Sequence, residues 1–251
     1  MQQNPLITIK NIGKTFLAKE GKRGVHVLDN VDLTIYEGEF LMMLGPSGCG
    51  KSTLLRILTG LEKETYGTIF YHTKFSLDDV GFVFQNFGIM PWLSVAENVE
   101  IGLIGRDVPE EIRKQKVAKI LSHFGLSHFA ESHPHQLSGG MKQRVGLARA
   151  FVTEPKIIFL DEPFSELDFF TAENLRSVLI DLWRATGATI VMVSHYIDEA
   201  VELADRIAVF SDRPGRVIEI IKNELSRPRD HRSAQFFALE DEILKHFKDT
   251  K

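Results

Sequence analysis

Gly45-Pro46-Ser47-Gly48-Cys49-Gly50-Lys51-Ser52 follows the apolar run Phe40-Leu41-Met42-Met43-Leu44. A short continuous apolar run is the texture of a strand buried on both faces. Residues 52–61, on the other side, carry apolar positions at helical spacing. Gly-x-x-x-x-Gly-Lys-Ser between a strand and a helix is the pattern of a phosphate-binding loop. A chain of this length and glycine content matches the bare pattern by chance only about once in a hundred, and the strand–loop–helix setting makes coincidence rarer still. The chemistry explains each residue type. Gly45, Gly48 and Gly50 let successive backbone N–H groups turn toward an anion, with Pro46, Ser47 and Cys49 completing the loop. The helix that opens at Ser52 and Thr53 adds its positive end. Lys51 brings a point charge to the outer phosphates, and the Ser52 hydroxyl is a ligand for Mg²⁺.

A second apolar run, Ile157-Ile158-Phe159-Leu160, ends in Asp161-Glu162. An aspartate at the tip of such a strand can hold Mg²⁺ through water, and the following glutamate can polarise a water as general base. An acidic pair at a strand end is common by itself. Upstream of it, however, lies a phosphate loop that needs a metal partner from a neighbouring strand.

The rest of the chain alternates the same way. Residues 6–12 and 25–35 alternate apolar and polar residues, with a polar hairpin loop expected at 18–24. Residues 80–84, 189–194 and 206–210 read as further buried strands. Helices are expected over 109–124, 141–152 and 171–186, and the tail from 226 is polar and weakly helical. Strands alternating with helices imply a largely parallel sheet, hence an α/β fold. The reading divides the chain into a core from 1–85 and 153–225, an inserted helical part over 86–152, and a tail over 226–251.

Composition is that of an ordinary globular chain, with 43% hydrophobic and 25% charged residues among 251. The net charge of −4 argues against a nucleic-acid partner. A single cysteine, Cys49, rules out an intramolecular disulfide. No apolar stretch reaches membrane-spanning length, so work at a membrane would require attachment to another chain.

Leu137-Ser138-Gly139-Gly140-Met141-Lys142-Gln143-Arg144 narrows the class. Ser138 can cap a following helix, and the glycines let a second phosphate approach its N-terminus. A chain that already has one phosphate loop has no need of another for the same nucleotide. With these motifs in this order, the sequence resembles the nucleotide-binding subunits of ATP-binding-cassette transporters over nearly its whole length. Residues 137–141 match that family's signature motif, with Met141 where Gln is more usual. Gln85 matches the glutamine that senses Mg²⁺ and the membrane partner. Ser165-Glu166-Leu167-Asp168 matches the D-loop, with Glu166 in place of the commoner Ala, and His195 matches the switch histidine at the γ-phosphate. Phe16 falls where an aromatic stacks on adenine, although the family prefers Tyr there.

The resemblance implies a P-loop NTPase core with an N-terminal antiparallel β subdomain and a helical insertion, using ATP and Mg²⁺. It implies a head-to-tail pair of copies. In that pair, ATP on one copy's phosphate loop meets Ser138, Gly139 and Gly140 of the other, and Asp168 lies nearby. It further implies permease subunits as partners, a substrate-binding protein reached through them, and a place on the cytoplasmic face of the inner membrane. Residues 91–99 and 211–216, with Arg227-Pro228-Arg229, resemble bacterial importers of nitrate, sulfonate, taurine and related small molecules. An exporter or lipid-transport subunit would share every nucleotide motif. Soluble cassette ATPases usually carry coiled-coil insertions or two fused cassettes, and neither is present here.

Overall fold

In the computed structural model, residues 4–17, 24–73, 76, 79–86 and 88–248 are described. The loop expected at 18–24 lies outside them except for Gly24, as does Phe87 in the apolar segment after Gln85. The chain forms two compact units: Met1–Lys74 with Val191–Lys251, and Phe75–Ile190.

In the first unit, β1 (Pro5–Phe16) runs antiparallel to β2 (Val25–Tyr36) on one side and to β4 (Tyr66–Tyr71) on the other. The register pairs Ile7 with Ile35 and Ile9 with Leu33, placing like residues on one face. A second sheet runs in the order β7 (Thr189–Ser194), β3 (Phe40–Leu44), β8 (Arg206–Phe210), β9 (Val217–Lys222). β3 and β8 are parallel, with Leu44 beside Val209, whereas β9 returns antiparallel at the edge. All five β3 residues are fully buried. At roughly 1.5–3 kcal/mol per buried large apolar side chain, they fix the end of the strand from which the glycine-rich loop springs.

Three helices complete this unit: α1 (Lys51–Leu58), α6 (Ile197–Leu203) and α7 (Ala234–Lys248). The helix expected over 52–61 therefore ends earlier, at Leu58. The tail holds the C-terminal end of α6, whose last carbonyls lack helical partners. Arg229 donates to the Val201, Glu202 and Ala204 carbonyls at 2.9, 3.0 and 2.7 Å, while Arg227 pairs with Asp205. Burial, assisted by nearby Arg227, lowers the Arg229 pKa to about 10, so the guanidinium stays charged near neutrality.

In the second unit, β5 (Val80–Val83) and β6 (Ile157–Asp161) are parallel, with Val83 beside Leu160. Four helices accompany them: α2 (Val95–Glu100), α3 (Glu110–His123), α4 (Gly139–Phe151) and α5 (Phe169–Thr186). α2 is short but tightly started. Ser94 Oγ accepts from Glu97 N at 3.2 Å, and the Glu97 carboxylate accepts from Ser94 N at 2.7 Å. α3 buries only Val117, Ile120 and Leu121, leaving its basic residues outward. Among the described residues, no helix is long and apolar enough to cross a membrane.

Candidate nucleotide site

The first unit supplies the phosphate loop between β3 and α1. Gly48 and Gly50 adopt φ of 75° and 112°, which side chains resist, and Gly50 is the N-cap of α1. A Cβ on Gly50 would also lie 2.7 Å from Leu28 Cδ2 and 2.9 Å from the Val27 carbonyl oxygen, so only glycine fits. Ser47 and Gly48 are exposed, and a Cβ on Gly48 would meet nothing within 4 Å. The loop is thus open to an anion on one side and packed on the other.

Lys51 is 3% exposed. Its ammonium donates to the Gly45 carbonyl at 2.6 Å and the Pro46 carbonyl at 2.8 Å, and lies 3.7 Å from Cys49 Sγ. An ammonium has three donors, so a phosphate must exchange for these contacts. Ser52 and Thr53 are partly exposed at the head of α1.

Cys49 is 1% exposed, and burial pushes its thiol pKa up against the opposing pull of Lys51. A thiol inside a phosphate loop leads to the expectation that its alkylation blocks ATP binding and that excess Mg-ATP protects. Burial bears on the rate of that reaction, because the thiolate is the reactive form and a raised pKa lowers its fraction. Iodoacetamide at about pH 8 should therefore label folded Cys49 more than about tenfold slower than a free thiol. The rate should climb steeply at higher pH. Complete labelling within minutes at the lower pH, read by intact mass, would contradict this.

Phe16 ends β1 and is 39% exposed, so it is not a core residue. The Lys14 ammonium lies 4.7 Å from its ring centroid. His195 is exposed just after β7, with the Tyr196 ring centroid at 4.1 Å.

The second unit carries the acidic and signature residues. Asp161 is 2% exposed at the C-terminal end of β6. Glu162, next in sequence, has φ 47°, in the left-handed region. That costs a non-glycine residue on the order of 1–3 kcal/mol, and strain of this kind gathers at functional positions. Its carbonyl accepts from both the N–H and the hydroxyl of Ser165, at 3.3 and 3.1 Å, which locks the turn. Asp168 caps α5, accepting from Thr171 N at 3.1 Å; the Thr171 hydroxyl first, and this backbone contact second, hold its carboxyl below the usual range.

Ser138 caps α4, accepting from Met141 N at 3.3 Å. Ser138 and Gly139 are exposed, and a Cβ on Gly139 would meet nothing within 4 Å. A Cβ on Gly140 would lie 2.5 Å from Thr171 Cγ2, so the signature glycines and the Asp168-capped helix pack together. Gln85 is exposed after β5.

Two features escape sequence reading. Gln143 is fully buried, and neither polar atom of its amide has a partner among the described residues. Such a group costs about 1–3 kcal/mol. Asn98, also fully buried, donates to the Met90, Leu93 and Ser94 carbonyls at 3.1, 3.0 and 2.9 Å and accepts from Met90 N at 2.8 Å. It thereby pins the segment that displays Trp92, which is 70% exposed beside a groove of about 620 Å³. Core packing is therefore not the role of Trp92. An asparagine four residues into a helix carries no sequence signal for such a brace.

The donor set fits a magnesium nucleotide. In the first unit the loop offers glycine backbone and a lysine for phosphates, with Ser52 as an oxygen donor of the kind that Mg²⁺ prefers; in the second unit Asp161 is, by residue type alone, a further donor of that kind. Mg²⁺ bound with a nucleotide takes much of its shell from phosphate and water. Accordingly, no group of three or more His, Cys, Asp or Glu positioned to hold a metal occurs among the described residues.

Comparison with known proteins gives the same picture. The ABC transporter family model matches residues 28–165. The chain is 42% identical over 246 residues to an uncharacterized ABC transporter ATP-binding protein of Methanocaldococcus jannaschii, covering 97% of this chain and 91% of that one. It is 39% identical over 248 residues to the aliphatic sulfonates import ATP-binding protein SsuB of Bacillus subtilis, covering 98% and 95%. It is also 39% identical to the bicarbonate transport ATP-binding protein CmpC of Synechococcus elongatus, covering 98% of this chain and 38% of that longer one. A solved dimeric ATP-binding cassette in a post-hydrolysis state with ADP and phosphate superposes with a TM-score of 0.77 at 36% identity, covering 88% and 100%.

Proposed function

The chain belongs to the ABC transporter family as an ATP-binding, ATP-hydrolysing subunit, and on that footing we propose that it powers uptake of a small molecule of the nitrate, sulfonate or taurine kind through a membrane permease. The observation that carries the enzymatic part is that the chain holds both a packed, lysine-bearing phosphate loop in its first unit and a strained Asp161-Glu162 turn in its second. Import is supported by the sulfonate and bicarbonate transport subunits among its relatives. Residues 86–152 are read as the helical part that carries the signature motif.

The proposed mechanism assigns each residue one task. Phe16 offers an aromatic face to adenine. The loop N–H groups and Lys51 bind and orient the phosphates. Ser52, Gln85 and Asp161 would hold Mg²⁺, which when bound would supply charge neutralisation on the phosphate oxygens. The Glu162 carboxylate accepts a proton from the attacking water, and His195 orients that water and the γ-phosphate. Ser138, Gly139 and Gly140 of a second copy close over the nucleotide, with Asp168 holding the helix beside them. The solved relatives described as dimers support this two-copy reading.

Trp92 and its groove fit the permease contact, because the exposed ring on a braced loop stands at the edge of a concave surface that a partner segment could fill. The chain would then sit peripherally on the cytoplasmic side of the membrane. Detergent extraction of native membranes should recover the tagged chain with a polytopic membrane protein, and Trp92→Asp should release that partner. Recovery of the chain alone would leave an ATPase without a transport role.

A further inference from the structure

Gly215 lies in Ser211-Asp212-Arg213-Pro214-Gly215-Arg216, a turn the nucleotide motifs do not account for. Its N–H donates to the Val27 carbonyl at 2.9 Å, and its carbonyl accepts from Asp29 N at 3.1 Å. It is thus stitched to β2 on both sides of Leu28, the residue that packs beneath Gly50. A Cβ on Gly215 would lie 2.1 Å from the Cys49 carbonyl oxygen. Bare backbone of the turn therefore presses directly on the phosphate loop.

The turn has its own anchor. Arg216 forms an ion pair with Asp29, and Tyr66 Oη donates to Asp29 Oδ1 at 2.6 Å. Within the turn, Arg216 N donates to Ser211 Oγ at 3.0 Å and Ser211 N to the Arg216 carbonyl at 2.9 Å. The Asp29 carboxyl is mostly buried and held below the usual range, first by the Tyr66 hydroxyl and then by Arg216 against a burial cost.

We propose that Gly215 is a positioning residue for nucleotide binding: the 211–216 turn, clamped to β2 through Arg216 and Asp29, fixes the Cys49-Gly50 peptide and so the aim of the N–H groups that receive the phosphates. The proposal deepens the ATP-binding reading and rests on it.

Gly215 does not have a left-handed φ, so alanine fits its backbone conformation. By conformation alone Gly215→Ala should not destabilise the free protein; its whole penalty comes from the methyl meeting the Cys49 carbonyl. Binding of a fluorescent ATP analogue with Mg²⁺ should weaken by about tenfold or more, since displacements on the order of 1 Å at a binding loop are costly. The methyl must displace backbone, so the melting temperature without nucleotide should fall, and in the variant that still folds the shift produced by Mg-ATP should shrink as well. Unchanged affinity in the folded variant, with or without a lower melting temperature, overturns the proposal. If Gly215→Ala does not fold, Arg216→Gln frees the turn without adding bulk. It should weaken binding several-fold with a modest loss of nucleotide-free stability, since the pair it breaks is half exposed on the Arg216 side, and unchanged affinity there overturns the proposal as well. A wild-type chain that fails to bind Mg-ATP would instead remove the ATP-binding reading itself.

Discussion

Glu162→Gln should bind Mg-ATP with near wild-type affinity yet hydrolyse it about 10²–10⁴-fold more slowly, the usual contribution of a positioned general base. The substitution keeps shape and hydrogen-bonding capacity and removes only the ability to take a proton. The turn should survive it, because the Glu162 backbone carbonyl stays held by the Ser165 N–H and hydroxyl, which the substitution does not touch. With the chemical step stalled, the nucleotide-bound state should accumulate as a pair of copies, visible as a doubled mass in Mg-ATP and a single mass in Mg-ADP. Near-normal turnover would remove Glu162 from the role of base.

Lys51→Ala should lose nucleotide affinity by about 100-fold, as expected for one or two hydrogen bonds from a charged donor at roughly 1.5–3 kcal/mol each. The fold should be modestly destabilised: the buried Gly45 carbonyl loses its partner, whereas the partly exposed Pro46 can turn to water. Lys51→Arg should not restore affinity, because a planar fork cannot occupy the compact space between these two carbonyls. Undiminished binding in Lys51→Ala would place the phosphates elsewhere.

The strands that frame the loop were legible because burial on both faces leaves continuous apolar runs: β3 and β8 fall where the sequence puts them. β4 and β9 were not. Tyr66–Tyr71 is largely exposed on a peripheral sheet and mixes aromatics with glycine, and Val217–Lys222 is an edge strand after a turn. The short helices α2 and α6 lack the length for a periodic signal and are held by a capping box and by tail arginines instead. At the candidate site, motif, spacing and the family resemblance proposed the loop, the acidic pair and the signature segment. They could not report the left-handed φ of Glu162, the burial of Cys49 or the exposure of Phe16 and Trp92, since each depends on how distant segments pack.

Whether the site is shared between two copies is tested most directly by mixing two inactive variants. Lys51→Ala disables the loop and leaves Ser138 intact, while Ser138→Arg blocks the signature segment and leaves the loop intact. In a head-to-tail pair containing one of each, one site combines the intact halves. With random pairing the mixture should recover up to about a quarter of wild-type ATP hydrolysis, although each variant alone is idle. A mixture as idle as its components, or full hydrolysis by Ser138→Arg alone, would contradict a site built from two chains.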